Sequence, residues 1–221
     1  MLRALDITLS GLAILVLCPL LIPIVLALRF TGEGEIFFLQ TRVGKGGKTF
    51  ELIKFATMLK DSPNIGTGTV TVRNDPRVLP LGRFLRKTKI NELPQVLNIF
   101  IGDMSIVGPR PQDQRCFDAF PDTSQAEIVK VRPGLSGIGS IVFRDEENLM
   151  HERFDPEEHY DKVIMPYKGK LEEWFVANMG ISTYLFCIII TCWILIFPNS
   201  SLVWDVFKKL PEPPDELKGL I

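Results

Sequence analysis

The chain contains 221 residues, which is enough for one domain with its own core or for such a domain joined to a membrane element. Its 25 basic and 26 acidic residues give a net charge of −1, so no overall positive field favours nucleic acid as a partner. The 2 histidines and 4 cysteines show no zinc-type spacing. Composition therefore argues against a nucleic-acid-binding protein, a histidine-based catalytic triad and a three-histidine metal site.

The first element is an apolar segment, residues 9–28, without a charged residue. It is long enough to cross a hydrocarbon core of about 30 Å as a straight helix. Pro19 and Pro23 lie inside it, however, and proline removes a backbone donor and clashes with the preceding turn. Basic residues precede and follow the segment, which favours a cytosolic location for both ends. We therefore predict that the helix breaks at Cys18-Pro19 and that residues 1–30 form a re-entrant membrane helix.

Three other interpretations of this segment stay open. A kinked helix that spans the bilayer is one, because spanning helices tolerate proline. A signal peptide is another, since Val25-Leu26-Ala27 resembles a cleavage site, although Asp6 offsets the charge of Arg3 before the apolar run. The third is a buried core helix, for which the run is long.

Two short β-prone runs, residues 36–40 and 51–55, flank a glycine-rich stretch. Gly44, Gly46 and Gly47 favour a turn, so the pattern predicts a β-hairpin. The glycines form no Walker motif and open no predicted helix. We interpret them as a plain turn rather than a phosphate-binding loop.

The segment from residue 77 to 112 combines basic and acidic side chains. Its basic cluster, residues 77–89, is typical of a solvated helix face, but beside a membrane such a cluster also attracts anionic headgroups. Further along, Pro109 and Pro111 flank Arg110 and restrict its backbone, which suits an arginine that holds a pyrophosphate. Composition alone favours an ordinary surface loop with a salt bridge for this stretch.

A second apolar stretch, residues 180–198, lies near the C-terminus. It is barely long enough to span a bilayer, and Trp174 and Trp204 flank it as interfacial aromatic residues would. We interpret it as a second membrane element or as a helix that lies along the first. Residues 199–221 are rich in proline and charge and are predicted to be a loose tail.

Together these elements predict an α+β fold in which a mainly helical cytosolic domain carries the short β-hairpin. The predicted parts are the re-entrant membrane helix (1–30), the domain at the cytosolic interface (31–179), the apolar membrane-associated helix (180–198) and the tail (199–221).

Several long motifs follow one another between Arg3 and Gly137. Arg3-x-x-Asp6 precedes the apolar run, and Arg132-Pro133-Gly134-Leu135-Ser136-Gly137 comes last. Between them stand FFLQTRVGKGGKTFELIKF, RNDPRVLPLGRFLRKTKINELPQ and GDMSIVGPRP. On these motifs the chain resembles the small monotopic phosphoglycosyl transferases of the bacterial sugar transferase family.

The resemblance implies an enzyme at the cytosolic face of the bacterial inner membrane. It would transfer a phosphosugar from a UDP-sugar to polyprenyl phosphate, typically undecaprenyl phosphate, release UMP and so initiate glycan assembly. Members use Mg²⁺ and two steps, in which an aspartate attacks the β-phosphate and the lipid phosphate attacks the resulting ester. The implied partners are the UDP-sugar, the polyprenyl phosphate and the lipid bilayer. The sugar and a homo-oligomeric state are left open.

The resemblance to the family motifs assigns expected catalytic and phosphate-binding roles to particular residues. The catalytic Asp-Glu pair falls on Asn91-Glu92, with Glu92 as the expected Mg²⁺ ligand. The lysine before the family's Phe-Arg-Thr/Ser-Met motif falls on Lys54, and the arginine ahead of the catalytic pair falls on Arg86. The expected phosphate-binding residues are Lys54, Arg86, Arg110, Pro111, Arg132 and Arg144.

Two positions depart from the family pattern. The arginine of Phe-Arg-Thr/Ser-Met is Ala56 here, and the nucleophilic aspartate is Asn91, whose neutral amide is a poor nucleophile. Asn91 marks an engineered substitution, an inactive relative, or a divergent active branch in which Glu92 or another carboxylate does the chemistry. We favour the divergent branch, because an engineered inactivation would not need Ala56 as well. The alternative function is a membrane-bound binding or scaffold protein without turnover.

Overall fold

A computed structural model of the chain describes residues 1–65, 75–144 and 156–220. They form two compact units. The N-terminal unit comprises Ile7–Thr41 and Glu51–Ile101, and the C-terminal unit comprises Met1–Asp6, Arg42–Phe50 and Gly102–Ile221.

The apolar N-terminal segment forms helix α1, Leu2–Phe30, with both prolines inside it. The helix therefore continues through the predicted break at Cys18-Pro19. Because proline has no backbone N–H group, the carbonyl groups one turn before Pro19 and Pro23 lose their usual hydrogen-bond donor. The helix is long and apolar enough to cross a membrane, and only 6% of its most apolar stretch is buried. Such exposure disfavours the buried core helix. The re-entrant topology stays a prediction.

The predicted β-hairpin is confirmed by strands β1, Phe37–Val43, and β2, Thr49–Phe55, which pair in antiparallel fashion. A 3₁₀ turn, Lys45–Gly47, connects them, and both Gly46 and Gly47 have a φ of 72°. Glycine adopts this left-handed conformation at little cost, which is why the turn is rich in glycine.

The N-terminal unit also contains a short 3₁₀ turn at Ser62–Asn64. Its core contains Leu28 of α1, Phe55 of β2 and the fully buried Leu85. Further along the chain come α2, Pro80–Lys87, a 3₁₀ turn, Ile90–Glu92, and α3, Gln95–Ile101.

The C-terminal unit contains a second small sheet, in which β3, Ser105–Val107, pairs in parallel with β4, Gly134–Ser136. Ser105 lies opposite Gly134, and Val107 lies opposite Ser136. Helices surround this pair, which agrees with the predicted α+β class. They are α4, Gln114–Asp118; α5, Asp122–Ile128; α6, Ile138–Val142; α7, Pro156–His159; α8, Met165–Ala177; α9, Ile181–Ile196; and α10, Leu202–Val206, with a π-helical turn, Tyr160–Ile164, between α7 and α8.

Helix α9 packs one face into the core of the C-terminal unit. Its buried residues recur at helical spacing, whereas Leu185, Ile189 and Trp193 on other faces are exposed. With 16 residues it is about 24 Å long, which is shorter than a bilayer core. This packing favours an interfacial helix over a spanning one, and membrane association of residues 180–198 stays a prediction.

The C-terminal tail is not loose, contrary to the prediction from its composition. Leu210 and Leu217 are buried in the same apolar core as α8 and α9. The Tyr167 hydroxyl donates a hydrogen bond of 2.8 Å to the Pro211 carbonyl. Two leucines and one backbone acceptor therefore hold a segment whose average polarity suggested disorder.

Candidate active site

The predicted catalytic pair lies in a sharp turn of the N-terminal unit. After α2, Lys89 takes the left-handed conformation with a φ of 59°, and the 3₁₀ turn Ile90–Glu92 follows at once. The Glu92 N–H donates to the Lys89 carbonyl at 3.1 Å and closes this turn. Asn91 is buried and Glu92 is half-buried, so the backbone presents two adjacent side chains with different exposure.

The buried amide of Asn91 has an unsatisfied oxygen. Its Oδ1 makes no hydrogen bond with any of the residues in the described ranges. A buried polar atom without a partner costs roughly 1–3 kcal/mol, so such atoms are rare unless a ligand satisfies them. A cation or a hydrogen-bond donor from a substrate would complete this site.

The implied Mg²⁺ can be tested against these residues. Within residues 1–65, 75–144 and 156–220, no three His, Cys, Asp or Glu side chains cluster as a metal cage. Mg²⁺ often needs only one or two carboxylates, since waters and substrate phosphates supply its other ligands. Glu92 beside the unsatisfied Asn91 oxygen fits that kind of site.

Lys54, Arg86 and Asn91 are each adjacent in sequence to a residue of one apolar cluster. Phe55 and Leu85 belong to its buried centre, and Ile90 packs against them. Because a shared core fixes the neighbouring backbone, the cluster brings the lysine of β2, the arginine of α2 and the Asn91–Glu92 turn to one part of the unit. The departure from the family pattern at Ala56 also lies here, and Ala56 is 6% exposed.

Close backbone packing holds α2, the helix that carries Arg86. A Cβ atom at Gly82 would lie 2.1 Å from the carbonyl oxygen of Thr57, so no other residue fits without moving the helix. The same Thr57 oxygen accepts the Leu79 N–H at 3.0 Å. These contacts fix the start of α2 on the chain that follows β2.

One amide side chain fixes β2, the strand that carries Lys54, to α3. The Asn98 Oδ1 accepts the Ile53 N–H at 3.0 Å, and its Nδ2 donates to the Glu51 carbonyl at 2.8 Å. Asn98 is 1% exposed, and its side-chain amide makes the hydrogen bonds to β2 that the backbone of a neighbouring strand would otherwise make.

Asp75, a carboxylate at the start of the second long motif, serves a structural purpose. Its carboxylate holds the Arg77 guanidinium with two contacts, Nε to Oδ1 at 2.9 Å and Nη2 to Oδ2 at 2.6 Å. Both side chains are buried, and a bidentate pair of this kind is not free to attack phosphorus. Asp103 is half-buried, and Asp145 lies outside the described residues.

In the C-terminal unit, glycines bring the Arg110 turn against the Arg132–Gly137 motif. A Cβ atom on Gly134 would lie 2.0 Å from the Gly108 nitrogen, and one on Gly137 would lie 2.1 Å from the Gly108 oxygen. The Gly134 N–H donates to the Pro109 carbonyl at 2.8 Å. The two sequence motifs are therefore one structural feature, joined backbone to backbone.

Sequence reasoning missed a buried carboxyl group in the C-terminal unit. The Glu172 side chain of α8 is 1% exposed, and its Oε1 lies so close to Gly139 of α6 that a Cβ atom there would come within 2.3 Å of it. Burial raises the pKa of Glu172 to about 7, although the charge of Lys168 acts in the opposite direction. The only sequence signal was Lys168 and Glu172 at i and i+4, a spacing that usually marks a solvated pair.

The predicted phosphate-binding residues of this unit have different surroundings. Arg110 is exposed and Pro111 is half-buried. The Arg132 Nε donates to the Gly102 carbonyl at 2.7 Å, so part of this guanidinium supports the loop before β3. Arg144 is half-buried and is the last residue described after α6. The predicted site residues are thus divided between the two units, with Lys54, Arg86, Asn91 and Glu92 in one and Arg110, Pro111, Arg132 and Arg144 in the other.

Comparison with known proteins places the chain in a family. The sequence profile of the bacterial sugar transferases matches residues 1–198. The chain belongs to the bacterial sugar transferase family. The motifs that suggested the resemblance lie within the matched residues.

Members of the bacterial sugar transferase family similar to this chain carry several names. The UDP-glucose:undecaprenyl-phosphate glucose-1-phosphate transferase of Escherichia coli (strain K12) is 36% identical over 176 residues, 78% of this chain and 37% of that protein. The exopolysaccharide production protein PSS of Rhizobium leguminosarum bv. phaseoli is 44% identical over 146 residues, 63% of this chain and 72% of that protein.

A third relative is named for a different sugar. It is the UDP-N-acetylgalactosamine-undecaprenyl-phosphate N-acetylgalactosaminephosphotransferase of Aeromonas hydrophila, 36% identical over 142 residues, 63% of this chain and 33% of that protein. The chain thus spans about a third of the length of the two relatives named for an undecaprenyl-phosphate reaction.

Proposed function

We propose that the chain is a phosphoglycosyl transferase of the cytosolic face of the bacterial inner membrane. It transfers a phosphosugar from a UDP-sugar to undecaprenyl phosphate, releases UMP and initiates polysaccharide assembly. Membership of the family and the names of two relatives support this activity. The main structural support for this proposal is the Asn91–Glu92 turn. There the Glu92 carboxylate follows Asn91, whose buried Oδ1 has no hydrogen-bond partner among the described residues.

In the proposed reaction the β-phosphorus of the donor is the centre of attack. Either the Glu92 carboxylate attacks it to give a phosphosugar ester, which the lipid phosphate then displaces, or the lipid phosphate attacks directly. In both cases the bond between the β-phosphorus and the bridging oxygen breaks, and UMP leaves. Asn91 cannot replace an aspartate as nucleophile, because its amide nitrogen and oxygen are weakly nucleophilic, so its proposed role is to bind.

Cationic side chains are proposed to hold the donor and acceptor phosphates. Arginine suits this role because its planar fork binds two phosphate oxygens at once. A Mg²⁺ ion, when bound, neutralises charge on the phosphoryl oxygens, and Glu92 is the residue proposed to hold it. The proposed phosphate-binding residues are Lys54, Arg86, Arg110, Pro111, Arg132 and Arg144.

Lipid-dependent UMP release by variants of the catalytic pair tests this proposal. The full chain in nanodiscs is supplied with UDP-glucose or UDP-N-acetylgalactosamine, Mg²⁺ and undecaprenyl phosphate. Glu92→Gln should lower the rate by at least about a hundredfold, and Asn91→Ala should lower it less. Glu35→Gln, an exposed carboxylate paired with Lys60, is the matched control and should retain the wild-type rate. A fully active Glu92→Gln variant would remove Glu92 from the mechanism.

The second candidate function, a binding or scaffold protein without turnover, rests on the Asn91 amide. It predicts that the wild type binds nucleotide sugar and releases no UMP. Asn91→Asp should then create activity and allow a phosphosugar adduct on that residue to be detected by intact-protein mass measurement. UMP release by the wild type would eliminate the scaffold.

A further inference from the structure

An ion pair joins β1 to the segment that follows the Arg110 turn. The Arg42 Nη1 donates to the Asp113 Oδ2 at 2.8 Å, and the two side chains are 13% and 45% exposed. The Arg42 Nε is buried without a hydrogen-bond partner among the described residues. Because a largely buried cation is costly unless an anion pairs with it, Asp113 holds Arg42 where it lies.

The same carboxylate also begins a helix. The Asp113 Oδ1 accepts the Cys116 N–H at 2.9 Å, which makes Asp113 the N-cap of α4. One carboxylate oxygen therefore caps the helix while the other binds Arg42. The backbone at Asp113 is fixed from both sides, by β1 and by α4.

Backbone hydrogen bonds hold the Arg110 turn at both of its ends. On one side, the Pro109 carbonyl accepts the Gly134 N–H of β4 at 2.8 Å. On the other side, the Gln112 carbonyl accepts the Val43 N–H of β1 at 2.9 Å. The ion pair lies one residue beyond this second contact, so it reinforces the end of the turn that rests on β1.

The Arg110 side chain itself is exposed and makes no hydrogen bond within the described ranges. It lines one small cavity together with Val43 and Gln112, so the turn faces β1 directly. The backbone of the turn therefore sets the direction in which the guanidinium points. An arginine whose backbone is fixed in advance loses less conformational freedom when it binds a phosphate.

We propose that Arg42 is a positioning residue for donor binding: by pairing with Asp113 it fixes the β1 end of the Arg110 turn and so keeps Arg110 in place for the donor phosphates. The inference rests on the proposed role of Arg110 as a phosphate-binding residue. Arg42 acts through Asp113 and the backbone and does not touch the donor.

Calorimetric binding of UDP-glucose and UDP-N-acetylgalactosamine to the full chain in nanodiscs, with Mg²⁺, tests the inference without requiring turnover. Arg42→Gln and Asp113→Ser should each weaken binding about fivefold, the scale of one partly buried ion pair. Serine caps a helix as aspartate does but is too short to reach Arg42, so α4 keeps its cap. The double variant should be little weaker than the weaker single variant, because both changes remove one contact.

A second pair of variants tests the link to Arg110. Arg110→Lys should weaken binding about tenfold, because lysine cannot hold two phosphate oxygens at once. Adding Arg42→Gln to Arg110→Lys should then cost clearly less than Arg42→Gln costs alone, whereas a general loss of structure would add in full. Where Arg42→Gln does not fold, Asp113→Ser takes its place in this comparison.

Two control variants make the result specific. Arg42→Lys keeps the charge, and the ion pair uses a single nitrogen, so this variant should bind within about twofold of the wild type. Arg115→Gln removes another arginine of the same segment, whose Nη2 lies 3.4 Å from the Asp161 Oδ2 on the surface, and should bind as the wild type does.

The outcomes separate the inference from the proposed function. If Arg42→Gln weakens binding while Asp113→Ser binds normally, Arg42 contacts the donor itself and is not a positioning residue. If Arg42→Gln folds and binds normally, or if its loss and that of Arg110→Lys simply add, Arg42 does not act through Arg110. If Arg110→Lys binds normally, Arg110 loses its proposed role, and the inference is overturned with it. If the wild type binds neither nucleotide sugar, the proposed function itself is contradicted.

Discussion

At the scale of single residues, Asn91 and Glu172 each keep a buried oxygen without a hydrogen-bond partner among the described residues. Native proteins satisfy nearly all such groups, so exceptions point to a ligand or to stored free energy. The Asn91 oxygen lies in the 3₁₀ turn before α3, and the Glu172 carboxyl group lies against Gly139 of α6. The Asn91 oxygen thus marks the position at which we propose the chemistry.

Glu172 predicts a pH-dependent stability with a definite sign. Burial raises its pKa from 4.5 to about 7, so the folded protein binds this proton more tightly than the unfolded chain. The stability that protonation contributes is complete below pH 4.5 and is lost as the pH rises through about 7. The free energy of unfolding in detergent should therefore fall across this range, by up to ~3 kcal/mol.

Two variants, Glu172→Gln and its matched control Glu173→Gln, identify the group that causes this pH dependence. Glu172→Gln should flatten the dependence of the free energy of unfolding on pH, because the amide does not titrate. Glu173→Gln should leave it as in the wild type. An equally steep fall in Glu172→Gln would assign the dependence to another group.

At the scale of elements, α2 and the Asn91–Glu92 turn are joined through one strained residue. Among the described residues, Lys89 is the one non-glycine residue with a positive φ. It lies between Thr88, the C-cap of α2, and Ile90, the first residue of the 3₁₀ turn. The conformation costs roughly 1 kcal/mol for a residue with a side chain. It turns the backbone sharply, so that Asn91 points into the unit directly after a helix end.

Substitution of Lys89 tests whether this strain is part of the fold. Lys89→Gly should raise the free energy of unfolding by up to about 1 kcal/mol, because glycine adopts a positive φ easily. Lys89→Val should lower it by about 1 kcal/mol or more, since a β-branched side chain resists this conformation. Denaturant unfolding measures both, and a destabilised Lys89→Gly variant would contradict the assigned strain.

Sequence patterns predicted some elements and not others, for physical reasons. The glycine-rich turn between β-prone runs predicted the hairpin, and the family motifs predicted which residues to examine. The pairing of β3 with β4 was not predicted, because three-residue strands are too short to show periodicity. Glu172 was missed because a charged pair at i and i+4 usually faces water, whereas tertiary packing buries this one.

At the scale of the whole molecule, the direction of α1 in the membrane is the main prediction. Leu2–Phe30 is continuous and largely exposed, and basic residues stand at both ends. We expect both ends to face the cytosol, as the flanking charges require. In a cysteine-free background, Leu2→Cys and Glu33→Cys should be equally protected from a membrane-impermeant thiol reagent in the periplasm. Labelling of the first position alone would show a spanning helix.

The central claim is that this bacterial sugar transferase moves a phosphosugar and not a sugar alone. UDP-glucose and UDP-N-acetylgalactosamine labelled with ³²P at the β-phosphate are incubated separately with the full chain, Mg²⁺ and undecaprenyl phosphate in nanodiscs. The account predicts that with at least one donor the label enters the lipid fraction, in a one-to-one ratio with UMP, and that Glu92→Gln abolishes the transfer while Glu35→Gln does not. Label that stays entirely in the water-soluble nucleotide with both donors would contradict the account.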